Sequence, residues 1–187
     1  MSLSAVGEYN AMNACAAFAV GDVCGVEAKR MRDALAAVRP TPGRGRVHTV
    51  AGVTLIDESY NASPASVKQS LSMLASLPAR RRIAVLGDMR ELGDETEVLH
   101  ASVGAAVASF PIDKLYWLGE HGAVVTTAAR ARRADLAMEA LADVAALIAA
   151  FTRDARDGDV VLVKGSRAMK LDEFVTAVVD ALARRGA

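Results

Sequence analysis

Three polar loops hold most of the residues in this chain that could do chemistry, and each follows a strand-like apolar run. They read Asp57-Glu58-Ser59-Tyr60-Asn61-Ala62-Ser63-Pro64 after VTLI, Gly87-Asp88-Met89-Arg90-Glu91-Leu92-Gly93 after IAVL, and Lys164-Gly165-Ser166-Arg167 after VVLV. In the first loop Ser63 can cap a helix that Pro64 begins. Free N–H groups at such a helix start favour phosphate or carboxylate. Asp57 and Glu58 suit ribose hydroxyls better than phosphate, while Tyr60 and Asn61 can donate and accept hydrogen bonds. In the third loop, Gly165 and Ser166 can aim successive backbone N–H groups outward as an anion nest. Lys164 and Arg167 add positive charge there, and arginine can grip a carboxylate with two hydrogen bonds. Together these residue types favour an anionic, hydroxylated ligand.

The second loop has a plainer reading. Gly87 permits a tight exit from its strand, and Asp88 can cap or ligate. Glu91 and His100 match no zinc spacing, so capping is the simpler role. His100 lies on a helical stretch as a packed or surface histidine, and His48 and His121 carry less signal. The first loop also has a structural reading, as an ordinary capped turn. Arg44 lies in the Pro-Gly connector Pro40-Thr41-Pro42-Gly43-Arg44, where it can reach across a cleft or serve as a solvated linker residue. No GxxxxGK[ST], GxSxG or HExxH occurs, nor any Cys/His nucleophile arrangement. No catalytic residue and no metal ligand can be assigned.

Strands and helices must alternate to position these loops. A β-hairpin is expected with strands 47–50 and 53–56 around Ala51-Gly52. Helices follow at about 64–75, 95–108, 122–131, 141–153 and 171–184, with strands at 83–86, 114–118, near Leu136, and 160–163. Such alternation implies a mostly parallel sheet covered on both faces. Parallel strands share their carboxyl ends, so all three loops emerge at one sheet edge, where open α/β sheets bind ligands. Two helices, about 9–20 and 26–38, come first, broken by Gly21 and Gly25. The second puts Met31, Leu35 and Val38 on one face. The turn-rich stretch from Arg39 to Gly45 marks a domain boundary and a mobile hinge.

The bulk composition sets limits. Hydrophobic residues make up 52% of 187, enough for a packed core. Lys plus Arg equals Asp plus Glu at 22 each, without the positive surplus of a nucleic-acid binder. Arg80-Arg81-Arg82 reads as the solvated start of a strand. Cys15 and Cys24 read as small buried apolar groups in a reduced cytosolic compartment. No signal peptide is visible, the apolar stretch 141–151 is too short for a bilayer, and Met1-Ser2-Leu3 resembles a cloning remnant.

Five segments, in order, resemble the Mur ligases. GEYNAMNACAA resembles their GxHNxxNxxAA helix, and PTPGR resembles their PxxGR connector. DESYNASPASV, VLGDMRELG and LVKGSR resemble loops of the branch that adds D-alanyl-D-alanine to UDP-N-acetylmuramoyl-tripeptide. Three positions depart from the pattern: Tyr9 stands for His, Glu58 for Asp and Ser63 for Asn. The resemblance implies residues 1–40 as the helical tail of a truncated central ATPase domain. Residues 41–187 would be a carboxyl-terminal Rossmann-like domain, with a mostly parallel sheet, helices on both faces and an antiparallel hairpin at its start. The P-loop, most Mg ligands, a carbamylated lysine and the UDP-sugar domain would lie upstream.

The implied reaction is cytoplasmic amide formation in peptidoglycan precursor synthesis. ATP activates the tripeptide carboxylate as an acyl phosphate, the dipeptide amine attacks it, and ADP and phosphate leave. The chain alone is expected to be inert. By position, Asn10 and Asn13 resemble helix residues beside the adenine, Arg44 the connector arginine at the ATP phosphates, and Glu58 an acid near the ribose. Tyr60, Asn61 and Ser166 resemble the face closing on nucleotide and dipeptide. Lys164 and Arg167 would help hold the dipeptide carboxylate. No nucleic-acid or membrane partner is expected. Two other readings stand beside this one. A folylpolyglutamate synthase-like ligase would carry DGAHNP in place of SYNAxP. A non-catalytic α/β domain binding a carboxylate or a protein would pack its leading helices into a closed globule.

Overall fold

A computed structural model describes residues 7–185, and the Met1–Leu3 segment lies outside them. The chain divides into two compact units, one ending at Thr41 and the other beginning at Pro42.

The first unit holds helices α1 (Glu8–Val23) and α2 (Ala28–Ala37). Gly21 does not break α1. A side chain there would collide with Met31, so Gly21 is where α2 packs against α1. Gly25 ends the helix, at φ +72°, with Gly25 N–H on the Asp22 carbonyl and Val26 N–H on the Gly21 carbonyl. That pairing is a Schellman motif, which glycine accepts without steric cost. Met31 is buried, but Val38 lies beyond the last turn of α2 and is exposed. Cys15 and Cys24 are exposed as well, not buried. Two helices offer each other one narrow seam, and the remaining faces of α1, including Met12, Val20 and Val23, stay exposed.

The second unit is built on β1 (Arg46–Val50), β2 (Val53–Glu58), β3 (Arg81–Gly87), β4 (Lys114–Leu118), β5 (Ala137–Leu141) and β6 (Asp159–Lys164). Their order in the sheet is β1-β2-β6-β3-β4-β5. Only β1 runs antiparallel, paired to β2 through the turn at Ala51 and Gly52. Both turn residues have positive φ, as a two-residue hairpin turn of primed type requires. Helices α3 (Pro64–Ser76), α4 (Thr96–Ser109), α5 (Gly122–Arg130), α6 (Val144–Asp154) and α7 (Leu171–Arg185) supply the connections and the end of the unit. β2 to β5 advance across the sheet, while α6 leads back to β6 at its centre. Right-handed crossovers running in opposite directions fall on opposite faces. Accordingly α3 packs on α4 and α4 on α5, while α6 packs on α7. β6, covered on both faces, is buried along its whole length. Tyr116, Phe151 and Phe174 meet edge to face in the core beneath α6 and α7.

β5 spans Ala137–Leu141, so the helix expected from Leu141 starts only at Val144, capped by Asp143. Arg81 is not part of a solvated basic run. It grips buried Asp159 with two hydrogen bonds of 2.8 and 2.7 Å and also meets Asp154. This ion cluster lies at the amino ends of β3 and β6, at the edge opposite the three polar loops. Among the described residues no helix is long and apolar enough to cross a membrane.

Candidate functional site

The parallel registers settle where the three loops go. Glu58, the last residue of β2, pairs with Lys164, the last of β6, and Leu86 pairs with Lys164 on the other side. Gly87 pairs with Leu118 at the end of β4. The loops therefore leave the sheet side by side at its carboxyl edge.

The first loop is tethered at nearly every residue. The buried Asp57 carboxylate accepts the Gly43 N–H at 2.9 Å, the Ser59 N–H at 3.1 Å and the Ser59 hydroxyl at 2.6 Å. Gly45 N–H donates to the Asp57 carbonyl, and Tyr60 N–H to the Gly43 carbonyl. Gly43, at φ +75°, approaches the Tyr60 backbone so closely that a side chain would collide with it. The connector is thus clasped to the loop from Gly43 onward. Asn61, which is exposed, accepts the Ala62 N–H on its side-chain oxygen at 2.9 Å. Ser63 caps α3 in a reciprocal box with Ser66, with Pro64 at the first helical position. The Tyr60 side chain projects, 44% exposed, with the Arg44 guanidinium 3.9 Å from its ring centroid.

Glu58 and Lys164 do not face open solvent. Lys164 Nζ lies 3.1 Å from Glu58 Oε2 and donates to the Asn61 carbonyl at 3.1 Å. Both side chains are buried, and Glu58 also accepts the Ser70 hydroxyl. Neither is an open ribose acceptor or an open carboxylate grip in this arrangement.

The Gly165-Ser166 nest does not form as expected. Ser166 N–H donates to the Asp88 carbonyl at 3.2 Å instead of pointing outward. Buried Ser166 accepts the Arg90 N–H on its hydroxyl at 2.8 Å. Arg167 is exposed and pairs with Asp172 at 3.1 Å. Gly87 and Gly165 matter for space: a side chain on Gly87 would press on Met169, and one on Gly165 on Leu171 and Gly87. Asn10 and Asn13 lie on α1 in the first unit, three residues apart and so on one helix face.

Asp88 is the buried hub of the second loop. Its carboxylate accepts the Trp117 indole at 2.9 Å, the N–H groups of Glu120 and His121 at 2.9 and 3.2 Å, and His121 Nδ1–H at 2.9 Å. It therefore caps the turn between β4 and α5. Gly119, at φ +127°, leaves room for it, because a side chain there would strike the carboxylate. Burial alone would raise the Asp88 pKa, but the hydrogen bonds from His121, Trp117 and Glu120 outweigh it and the net shift is downward.

His100 is fully buried, stacked on His121 at 4.1 Å between centroids. Its Nε2 accepts the Met89 N–H at 3.0 Å, so Nδ1 carries the proton and donates to the Thr96 carbonyl at 2.7 Å. Burial pushes the His100 pKa below the usual imidazole value, with the Thr96 carbonyl opposing. Asp88, His100 and His121 bring three ligand-type atoms within 4.8 Å of one another. Asp88 already accepts four hydrogen bonds and both nitrogens of His100 are engaged. A metal would have to displace them, so the cluster is a cap and packing device.

Beyond the ends of β4 and β5 a cleft of about 470 Å³ opens, with Arg90 and Lys170 as cations, Glu120 and Asp143 as acids, and Leu118 and Met169 as apolar wall. Of these, only Arg90 lies in one of the three loops legible from the sequence, and none carries a ligand role there. The signal was available: Gly119-Glu120 follows a strand, and every parallel strand delivers its loop to this same edge.

The family model described as "Mur ligase, glutamate ligase domain" matches residues 43–167. The chain belongs to the Mur ligase family. Over 177 residues it is 33% identical to the UDP-N-acetylmuramoyl-tripeptide–D-alanyl-D-alanine ligase of Bacillus subtilis, covering 94% of this chain and 39% of that protein. The ligase of the same name from Mycobacterium bovis is 35% identical over 202 aligned positions, 96% of this chain and 39% of that one. The chain thus spans about two fifths of the curated Mur ligases it matches. Among solved structures, a MurF ligase from Thermotoga maritima in complex with ADP matches at TM-score 0.73 and 26% identity, covering 90% of this chain and 37% of that one. MurF from Acinetobacter baumannii matches at TM-score 0.82 and 25% identity, covering 93% and 38%.

Proposed function

We propose that this chain is the carboxyl-terminal part of a cytoplasmic, ATP-dependent ligase that joins D-alanyl-D-alanine to UDP-N-acetylmuramoyl-tripeptide. The observation that carries the reading is the likeness, over more than nine tenths of this chain, to ligases of that printed name. The cleft supports it chemically. A free dipeptide is a zwitterion with two small apolar side chains. Arg90 and Lys170 suit its carboxylate, Glu120 and Asp143 its ammonium, and Leu118 and Met169 its methyl groups.

ATP fits the other side of the rim in part. The exposed Arg44–Tyr60 pair offers a cation and an aromatic face, whereas the start of α3 spends its N–H groups on its own cap: Pro64 has none, and those of Ser66 and Val67 donate to Ser63. Glu58 fits a ribose contact only after leaving Lys164. Asn10 and Asn13 of α1 are proposed as adenine contacts on the family resemblance alone. The sequence lacks a GxxxxGK[ST] loop, so the phosphate-cradling element comes from another part of the protein. Bound ATP, with Mg, would supply the phosphoryl group that activates the tripeptide carboxylate. This unit would orient the dipeptide amine toward it and exclude water, a contribution of positioning and electrostatics.

The test is phosphate release by the complete ligase. Release should require ATP, the UDP-linked tripeptide and D-alanyl-D-alanine together, and the 187-residue chain alone should release none. Turnover with glutamate and a folate in place of the peptide substrates would sink this reading in favour of the folylpolyglutamate synthase-like one.

A further inference from the structure

Lys164 sits in a KGSR turn, where a lysine invites assignment as a ligand cation. Its surroundings argue otherwise. It is 7% exposed, its ammonium is 3.1 Å from Glu58 Oε2, and it donates to the Asn61 carbonyl at the same distance. Glu58 accepts the Ser70 hydroxyl of α3 in addition. One buried ammonium thus joins β6 to the end of β2 and to the middle of the first loop, and through Glu58 to α3. That loop is also held by Asp57, which accepts from Ser59 and Gly43, and by the Tyr60 N–H on the Gly43 carbonyl. Tyr60 lies between the Asp57 and Lys164 anchors, and its ring carries Arg44.

We propose that Lys164 is a positioning residue: through Glu58 and the Asn61 carbonyl it fixes the segment Ser59–Asn61, and with it the Arg44–Tyr60 platform, and it does not contact the dipeptide. The proposal rests on the ligase reading above. It departs from the assignment of Lys164 to the dipeptide carboxylate, which the cleft lined by Arg90 and Lys170 serves without it. A lysine buried against a carboxylate and a carbonyl can turn to an outside anion only by giving up both its ion pair with Glu58 and its bond to the Asn61 carbonyl.

The experiment measures apparent KM for ATP and for D-alanyl-D-alanine in the complete ligase carrying Lys164→Met, Lys164→Arg, Glu58→Gln, or Glu58→Gln with Lys164→Met. For Lys164→Met we expect the ATP constant to rise about tenfold, with the dipeptide constant changed less than about twofold. Arginine should restore part of the loss. The double variant, which leaves no unpaired buried charge and so protects folding, should be no worse than Lys164→Met, because both residues act through one pair. A rise of about tenfold in the dipeptide constant with ATP unchanged would overturn the proposal, as would losses that simply add in the double variant. If Lys164→Met fails to fold, the double variant and Lys164→Arg carry the same comparison. Failure of the ligase reading shows separately, as wild-type protein that releases no phosphate in response to D-alanyl-D-alanine.

Discussion

The guanidinium of Arg44 lies 3.9 Å from the centroid of the Tyr60 ring, joining the connector to the loop after β2. The backbone below them is held by Gly43, Gly45 and Asp57 and, at the Asn61 carbonyl, by Lys164. The stack therefore adds little to folding, about 1 kcal/mol or less for an exposed cation–π pair. Arg44→Ala should leave urea denaturation of the chain nearly unchanged while weakening ATP use by the complete ligase. Tyr60→Phe keeps the ring and should behave like the parent, whereas Tyr60→Ala should resemble Arg44→Ala. An Arg44→Ala protein that unfolds several-fold more readily would place the residue in the scaffold instead.

His100 links protonation to the GDMRELG loop. Its Nε2 accepts the Met89 N–H, so protonation there sets two donors against each other in a buried site. The folded state holds the His100 pKa below its unfolded value of about 6.5. The unfolded chain thus binds the proton first, and the stability that neutral His100 contributes is full above about pH 6.5 and declines as pH falls below it. Asp88, also shifted downward, adds a second decline below about pH 4. Melting temperature should drop between pH 7 and 5 in the parent and drop less in His100→Gln. Equal pH slopes in the two proteins would falsify the assignment.

At the opposite edge, Arg81 should matter for stability and not for ligands. Asp159 is buried and takes two of its hydrogen bonds from Arg81. Arg81→Met leaves that buried carboxylate with the Arg156 N–H but without its counter-ion, a loss of about 3–5 kcal/mol for a buried pair. Urea titration should show the midpoint shift. A variant that still folds at low temperature should keep both substrate constants, since the change lies at the amino ends of the strands.

Much of this could be read from the chain because the signals were local. VTLI, IAVL and VVLV are too uniformly apolar to sit anywhere but in a covered parallel sheet, and Ser63-Pro64 announces a helix start through capping chemistry alone. That placed three loops at one edge. What stayed hidden depended on contacts between distant segments. Nothing in the spacing of Asp88, His100 and His121 says that they meet, because β4 and α4 bring them together only in three dimensions. Lys164 reads as a surface cation until the β2–β6 register sets it opposite Glu58. The cleft was missed for a simpler reason. Leu141 ends β5, and counting it into a helix erased the β5–α6 loop that carries Asp143.

Ser166 offers the sharpest separation between holding the rim and touching the ligand. Its hydroxyl oxygen accepts the Arg90 N–H, and its own N–H donates to the Asp88 carbonyl, so it fastens the KGSR turn to the GDMRELG loop. Ser166→Ala leaves the Arg90 N–H without that acceptor, at a cost of about 1–3 kcal/mol if water cannot replace it. Arg90→Gln keeps the backbone bond and removes only the charge facing the cleft. If the side chain of Arg90 grips the dipeptide, Arg90→Gln should raise the dipeptide constant of the complete ligase about tenfold or more with no loss of melting temperature. Ser166→Ala should lower the melting temperature and raise the same constant, because a loosened loop misplaces Arg90. Calorimetry together with substrate titration separates the two, and a dipeptide constant indifferent to Arg90→Gln would move the carboxylate to Lys170.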